Sequence, residues 1–489
     1  MSSHSIWPLM GIINEARYQL RRSYVILIAL WYGEKKPPTE PYLNWAMEQL
    51  KDLQEQGFEV DGIRYRVRLL IVTTDTPARP VLRCTTQFNG KFGCDICLHP
   101  GEFLSIFQPY ILLKASFSPI IITGQQIKKG RGHIRVYPEV EGFRYPLRTL
   151  QQHEEDLKAV LRTGERVNGI IGPTPLANLP KFDYIRAFVP EYMHSVCQGV
   201  CKQFVQLWTL PTHSKQPWSL TKKMNVINAR IRNCTPSYEV TRTFDSMSDL
   251  ANWKASMFRN FALFFYVILE DQLPAVYFDH FLDLSYGLFI LLQEKVSVEN
   301  VKNVEILFRR FVINMEALYG EENIKINIHF LTHLPECVLN WGCLWAHSAF
   351  IPEWFNGQLL DLFHGTQHVA GQMAENHLIK IAVREEAASL LLTKNVPPNV
   401  ASLLRELLHL PANDVAYSMG LTTNNDQIEL LGRWVARELT VEEEVAMRNL
   451  FSKPQYAEFQ RLALDSLRFY ERFQMKSTRT IFTTSSYKR

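Results

Sequence analysis

Two pairs of residues have the types and spacing of a zinc site. Cys94 and Cys97 form a C-x-x-C pair, and His329 and His333 follow far downstream at i, i+4 spacing. Residues four apart on a helix share a face, so both imidazoles can reach one ion. Structural zinc sites use four such ligands in a tetrahedron. We therefore predict a structural Zn²⁺ held by these four residues; two buried thiols without an ion are the alternative.

Other cysteines and histidines are less suitable ligands than this set. His99 is a local rival as a third ligand, although so short a spacing from Cys97 would strain the geometry. Cys197 and Cys201 lie four apart on a predicted helix, where buried core thiols are the expected interpretation. The eight cysteines are dispersed along the chain, unlike the framework of a small secreted domain. We therefore expect reduced or metal-bound thiols.

Two carboxylates flank the cysteine and histidine pairs. Asp75 follows the apolar run 69–72, a predicted strand, and so lies at the carboxyl end where open α/β sheets place reactive groups. Glu353 begins a helix predicted to run to about residue 362. Taken alone, Asp75 could be a turn residue, and Glu353 a carboxylate favoured by the helix dipole. The order along the chain is acid, cysteine pair, histidine pair, acid.

This order resembles the transposases of CACTA-type (En/Spm-like) DNA elements, in the broad group that also contains the V(D)J recombinase core. Further phrases resemble the family in the same order: GCDICLHPGE (93–102), VPEYMHSVCQGVCKQ (189–203), WKASMFR (253–259), and EWFNG with HGT (353–357 and 364–366). The resemblance runs from Trp7 to about Gln372. It implies an RNase H-like fold with three catalytic acids, in which Asp75 matches the second and Glu353 the third.

The resemblance also implies a reaction. Asp75 and Glu353 would hold Mg²⁺ or Mn²⁺ for two-metal cleavage and transfer of DNA strands. DNA is then the partner, no small-molecule substrate is expected, a homo-oligomer is compatible with the family, and the nucleus is the expected location. The matching first acid would lie upstream, but the sequence has no acidic residue before Glu15. Asp61-Gly62 follows a predicted helix and is interpreted as a turn.

Because the first catalytic acid has no match in the sequence, two functional classes are considered. We expect a transposase-derived protein, N-terminally truncated, whose ancestral activity is impaired because the first catalytic Asp is absent. The alternative is a domesticated, non-enzymatic DNA- or protein-binding module stabilised by zinc. Divalent-ion-dependent nicking of DNA would separate the two classes, since zinc binding fits both.

The elements around these residues predict a mixed α/β fold. Residues 6–15 and 24–32 predict an antiparallel hairpin, and a helix follows from Thr39 to about Gln56. With the run 69–72 this gives a β-β-α-β order, an RNase H-like core whose first strand is missing. We divide the chain into 1–90, the RNase H-like part; 91–190, the zinc knuckle and loop-rich segment; 191–345, a large α-helical insertion carrying the histidine pair; 346–372, the final core helix; and 373–489, a C-terminal helical region with a basic tail.

Two further features are less specific. Glu191, in Glu191-Tyr-Met-His194, occupies a position where the family has Asp more often, and we expect a structural or supporting role for it. A basic patch covers residues 128–135 and comprises Lys128, Lys129, Arg131, His133 and Arg135. It could contact phosphates in a salt-dependent way, and a solvated loop is the alternative.

The bulk composition narrows the class of protein. The 489 residues carry a formal net charge of +4, which permits nucleic-acid binding without arguing for it. The apolar runs 24–31 and 261–269 are shorter than the roughly 20 residues that span a bilayer. No basic start followed by an apolar stretch marks a signal peptide. We therefore expect an intracellular protein with no membrane partner.

Overall fold

The computed structural model describes residues 5–16, 21–22, 24–110, 128–234, 240, 242–392, 396–408, 428–435, 469–475 and 481–483. The chain divides into two compact units. The first comprises Met1–Pro236 and Arg242–Asn376, and the second comprises Ser237–Thr241 and His377–Arg489. All the candidate site residues belong to the first unit. No helix of the described residues is long and apolar enough to cross a membrane.

The first unit begins with the predicted antiparallel hairpin. Strands β1 (Ser5–Gly11) and β2 (Ile26–Gly33) pair from Ser5 with Gly33 to Gly11 with Ile26, with a register shift after Leu9. Helix α1 (Thr39–Glu55) follows as predicted, and Gly57 ends it with a φ of 73°. Only glycine takes that conformation without strain.

Two helices cover opposite faces of this hairpin. Leu9 and Ile28 pack against the buried face of α1, which includes Leu43 and Met47. Their neighbours in the strands, Met10 and Leu27, pack against helix Phe350–Leu360. Adjacent residues of a strand point to opposite faces, so a hairpin that is apolar on both sides needs a cover on each side. The result is a helix–hairpin–helix arrangement that holds the helix carrying Glu353.

The next segment corrects one prediction. Strands β3 (Phe58–Val60) and β4 (Ile63–Tyr65) form a short hairpin, and Asp61 and Gly62 make its turn with φ values of 52° and 76°. That turn was predicted, but the strand expected over 69–72 is wrong as a regular element. Only Val72 pairs, in a parallel bridge to Phe188 through the bond from Val72 N to Ala187 O (2.9 Å).

The sheets of the described residues are therefore small. Each has two or three antiparallel strands, so the fold is mixed α/β and mostly helical, without a continuous central sheet among those residues. The apolar run 69–72 still lies in the core, since Leu69 and Val72 pack into the cluster formed by α1 and Phe188. The segment is positioned by side-chain packing rather than by a strand ladder.

Helix α2 (Arg79–Arg83) precedes the loop-rich segment. That segment contains the antiparallel strands β5 (Glu102–Tyr110) and β6 (Lys128–Val136) and helix α3 (Leu150–Thr163). The predicted basic patch therefore lies on a strand. Helix α3 begins with the Thr149 side chain accepting from Gln152 N and ends at Gly164, which has a φ of 73°. Both are ordinary helix caps.

The segment 191–345, predicted as an α-helical insertion, is mostly helical. A π-helix (Met193–Cys201) continues into α4 (Lys202–Thr209), and α5 (Met224–Asn233) follows. Four short pieces come next: a 3₁₀ turn (Met247–Asn252), α6 (Ala255–Asn260), a π-helical turn (Phe261–Phe265) and a second 3₁₀ turn (Tyr266–Leu269). Two longer helices follow, α7 (Ala275–Leu291) and α8 (Val298–Tyr319).

Short helices then lead to the end of the first unit. They are α9 (Ile326–Phe330), a 3₁₀ turn (Leu331–His333), α10 (Leu334–Trp341) and α11 (Phe350–Leu360). Helix α12 (Val369–Leu392) starts in the first unit and continues into the second.

The second unit contains more than the predicted helices. Helix α13 (Pro398–Leu407) follows α12, and strands β7 (Ile428–Val435), β8 (Phe469–Met475) and β9 (Ile481–Thr483) form an antiparallel sheet in that order. Strand β9 lies within the segment predicted as a basic tail. The rest of that tail lies outside the described residues.

Candidate metal centre

The four predicted zinc ligands meet at one buried point. Cys94 and Cys97 lie in the loop that follows α2, His329 lies on α9, and His333 ends the 3₁₀ turn before α10. The four side chains are at most 4% exposed. Among the described residues, this is the group in which three or more metal-ligating side chains converge, with all ligand atoms within 4.8 Å of one another.

The distances fit a tetrahedral zinc ion. Cys94 Sγ lies 3.6 Å from His333 Nε2, Cys97 Sγ lies 3.3 Å from His329 Nε2, and the two Nε2 atoms are 3.1 Å apart. A tetrahedral ion with usual zinc bond lengths would separate sulfur from nitrogen by about 3.6 Å and the nitrogens by about 3.3 Å. The Cys94, Cys97, His329 and His333 side chains can therefore hold a zinc ion.

Glu139 supports one of the ligands. His329 Nδ1 lies 3.2 Å from Glu139 Oε1, and the other oxygen of Glu139 lies 3.2 Å from Arg309. Burial raises the pKa of Glu139, but His329 and Arg309 outweigh it and lower the pKa below its ordinary value. An anionic carboxylate behind a ligating histidine fixes the ring with Nε2 towards the ion. Nothing in the sequence around Glu139 indicates this role.

The rival residues do not join the centre. Both ring nitrogens of His99 are used, since Nδ1 accepts from Gly101 N and Nε2 donates to Pro138 O, each at 2.9 Å. Burial lowers the pKa of His99 to about 4, so the ring is neutral. Cys197 and Cys201 are fully buried, and burial raises the pKa of both thiols. They are core thiols, as predicted.

A buried ion pair ties the cysteine loop to α2. Asp95 Oδ2 accepts from Arg79 Nε at 2.9 Å and lies 3.3 Å from Arg83. Arg79 also donates to the carbonyl oxygens of Phe188 and Val189. Burial lowers the pKa of Arg83 to about 10, which still leaves it cationic at neutral pH. One carboxylate therefore balances two buried guanidinium groups.

Asp75 lies at the turn into α2. Its Oδ1 accepts from Ala78 N at 2.7 Å, and its carbonyl oxygen accepts from Arg79 N at 3.3 Å. The side chain is half-buried. The hydroxyl of nearby Thr73 donates to His347 O at 3.2 Å. The segment carrying Asp75 therefore contacts the residues that lead into α11, which carries Glu353.

Glu353 lies in the first turn of α11, where it was predicted. Its side chain is 48% exposed, and its Oε1 lies 3.5 Å from His194 Nε2. The other ring nitrogen of His194 lies 2.8 Å from Oε2 of the buried Glu191. The arrangement is a row of acid, imidazole and acid. The sequence pattern singles out Glu191 without indicating its contacts, and it indicates no role for His194.

The two carboxylates stabilise a charged imidazole. Burial lowers the pKa of His194, but the hydrogen bonds to Glu191 and Glu353 outweigh it and raise the pKa to about 10. The His194 hydrogen bond also lowers the pKa of Glu353 below its ordinary value. His194 is therefore cationic at neutral pH, and one side of the Glu353 carboxylate stays exposed.

The two predicted catalytic acids have separate partners. Asp75 bonds to its own turn and Glu353 to His194, and no hydrogen bond or ion pair of the described residues joins them. Both carry acceptor oxygens of the kind that Mg²⁺ and Mn²⁺ prefer. The catalytic roles of Asp75 and Glu353 stay predictions.

The predicted basic patch has one described feature. The rings of Phe103 and His133 stack with centroids 4.8 Å apart, and the Arg135 guanidinium lies 5.2 Å from the Phe103 ring. Phe103 is 60% exposed. The side chains of Lys128, Lys129 and Arg131 lie outside the described set.

Comparisons with protein-family models, with curated proteins and with solved structures found no match.

Proposed function

We propose that this chain is a transposase-derived, DNA-handling protein that resembles the CACTA-type transposases. In this proposal its ancestral reaction is divalent-ion-dependent cleavage and transfer of DNA strands, and it acts in the nucleus. Zn²⁺ has a structural role, and DNA is the partner.

One observation carries the proposal. The four residues chosen from the family-like spacing, 232 and 239 positions apart in the chain, converge on one buried site with tetrahedral distances. Two unrelated buried thiols and two unrelated histidines would have no reason to meet in this way. The convergence supports the alignment of motifs from which Asp75 and Glu353 were also chosen.

The proposed chemistry assigns the two acids different tasks. Divalent ions, when bound, would stabilise the attacking water and the leaving 3′ oxygen. Asp75 would contribute a ligand from the half-buried turn before α2. Glu353 would contribute one from the first turn of α11, with its position set by His194.

A second function is favoured by the contacts of the same acids. Asp75 caps its turn through Ala78 N, and Glu353 pairs with His194, so each carboxylate also has an internal partner. A zinc-stabilised, non-enzymatic DNA- or protein-binding module would retain both acids for these contacts alone.

A nicking assay separates the two functions. Purified, zinc-loaded full chain is incubated with supercoiled plasmid and Mg²⁺ or Mn²⁺, and nicked product is followed against Asp75→Asn and Glu353→Gln. The controls are Asp183→Asn, whose carboxylate caps a similar turn at Arg186 N, and Glu299→Gln, a first-turn glutamate on α8. DNA affinity is measured in parallel by fluorescence anisotropy.

The transposase proposal expects slow nicking, in line with the impaired activity anticipated from the sequence, that falls to background in the two site variants and is unchanged in the two controls. DNA binding without nicking in the wild-type chain, at equal affinity in Asp75→Asn, would support the binding module instead. The absence of both nicking and DNA binding would contradict both candidates.

A further inference from the structure

The carboxylate of Glu191 has four donors within hydrogen-bond distance. Oε1 accepts from Met193 N and from Ala349 N, each at 2.6 Å, while Oε2 accepts from His194 N at 2.9 Å and faces His194 Nδ1 at 2.8 Å. The side chain is 1% exposed. A carboxylate offers about four acceptor positions, so this one is fully used. Such a group is buried at a cost that its contacts must offset.

These contacts join two helix starts that lie far apart in sequence. Met193 and His194 are at the beginning of the π-helix, and Ala349 directly precedes α11. The unpaired backbone N–H groups at a helix start need acceptors, and an anion there is favoured by the helix dipole. Glu191 therefore fixes the position of α11 relative to the π-helix.

His194 links Glu191 to the side chain of Glu353 as well. Because Glu191 holds Nδ1, the imidazole ring cannot rotate freely, and its Nε2 faces Glu353 Oε1 at 3.5 Å. Glu191 thus holds the backbone of α11 through Ala349 and the Glu353 carboxylate through His194. Both contacts start from the same buried carboxylate. They end at Ala349 and Glu353, which lie about one helical turn apart.

Glu353 needs such support. It is about half exposed, and a glutamate with three rotatable bonds loses side-chain entropy when it is held in one place. Carboxylates that bind metal ions are in turn held by hydrogen bonds from outer-shell groups. The exposed side of Glu353 is left to bind an ion.

We propose that Glu191 and His194 are positioning residues that hold the Glu353 carboxylate in place to bind a divalent cation. This inference rests on the proposed function, since it takes Glu353 as a ligand. It assigns a task to a glutamate at a position where the sequence resemblance suggested only a supporting role. Asp at position 191 would be one methylene shorter and could not keep both helix starts within hydrogen-bond distance without a shift of the backbone.

The test is Mn²⁺ binding by the zinc-loaded full chain, followed by electron paramagnetic resonance of the free ion. The variants are His194→Ala, Glu191→Asp and Glu353→Gln. The control is His213→Ala, in the 3₁₀ turn Pro211–His213 away from this row. Zinc content and melting temperature are measured for every variant, and only variants that retain both are compared.

The positioning role expects Glu353→Gln to abolish the tightest Mn²⁺ site and His194→Ala to weaken it by about 10- to 100-fold, the usual effect of removing an outer-shell partner. His213→Ala should bind like the wild type. Glu191→Asp should weaken Mn²⁺ binding with His194 still present, which a purely local effect of the histidine would not produce.

Two outcomes overturn the proposal in distinguishable ways. Loss of the site in Glu353→Gln with wild-type affinity in His194→Ala would refute positioning and leave the proposed function intact. Equal Mn²⁺ binding by the wild type and Glu353→Gln would show that Glu353 is not a ligand, and both the proposed function and this inference would then fail. If His194→Ala unfolds, Glu191→Asp decides between the same outcomes.

Discussion

At the residue scale, Cys94 is the most direct test of the metal centre. Its thiol is fully buried and faces His333. We expect Cys94→Ser to remove zinc and destabilise the first unit, because a hydroxyl is a poor zinc ligand and structural zinc contributes much of the folding free energy of such sites. The melting temperature should fall by on the order of 10 °C, with zinc content measured by mass spectrometry.

The matched control is Cys234→Ser, since Cys234 is exposed and takes no part in the cluster. That variant should keep both zinc and melting temperature. Full zinc content and unchanged stability in Cys94→Ser would refute the zinc assignment.

A second residue-scale prediction concerns His280 on α7. Its ring stacks on Phe311 with centroids 4.0 Å apart, and its Nε2 donates to the Phe311 carbonyl at 2.9 Å. Burial lowers the pKa of His280 from 6.5 to about 4. The unfolded chain therefore takes up this proton at higher pH than the folded chain does. The contribution of His280 to the free energy of unfolding is therefore fully present above pH 6.5. It falls by about 3 kcal/mol as the pH drops towards 4.

The variant His280→Gln isolates this contribution, because glutamine can donate to Phe311 but does not titrate here. We expect the free energy of unfolding, measured in urea between pH 7 and pH 4, to fall less in the variant than in the wild type. Parallel curves for the two proteins would show that His280 titrates in the folded state as it does in the unfolded chain.

Residue type and spacing were enough to predict the zinc ligands, because thiols and imidazoles in such pairs have few other uses. Glu139 and the contacts of Glu191 could not be predicted in this way. A carboxylate has the same appearance in a sequence whether it is solvated or buried. Its role depends on partners such as Arg309 and Ala349, which only the tertiary structure brings near.

At the scale of elements, the short helix α2 is held by charge rather than by its own length. Five residues form no stable helix alone, but Arg79 and Arg83 both reach Asp95. We expect Asp95→Ala to destabilise the first unit by about 3–5 kcal/mol, because it leaves two buried guanidinium groups without a counter-charge. Urea unfolding measures the change.

The control for this pair is Asp283→Ala on α7. Asp283 pairs with Arg310 at 3.1 Å, but the Arg310 side chain is 61% exposed. An exposed pair of this kind contributes about 0–1 kcal/mol. If the two variants lose equal stability, the Arg79–Asp95 contact is not the buried constraint described above.

Long helices and tight turns were predictable from local pattern, and the strand over 69–72 was not. Helix α8 has a capping Ser297 and apolar residues at helical spacing, so local signals define it. The run 69–72 has the composition of a strand, but strand formation needs a partner along its length. The structure supplies that partner only at Phe188.

At the scale of the whole molecule, the metal centre joins parts of the chain that are more than 200 residues apart. The bond from Tyr137 N to Ile324 O (2.8 Å) lies beside it and links the same two regions. Bringing the cysteine pair and the histidine pair together closes a long loop, and the entropy lost in closing it is not offset by local contacts. A bound zinc ion would therefore stabilise the association of the cysteine loop with α9 and α10, and not each segment alone.

This argument predicts a concerted response to zinc removal. After chelation, hydrogen exchange should rise together in peptides covering 88–101 and 324–341, because each segment loses the partner that the ion provides. The hairpin of β1 and β2, which is covered by α1 and α11, should change less, and zinc addition should restore protection. An increase confined to 88–101 would mean that the histidine segment is held by its own packing. The ion would then stabilise only the cysteine loop and would not link it to the histidine segment.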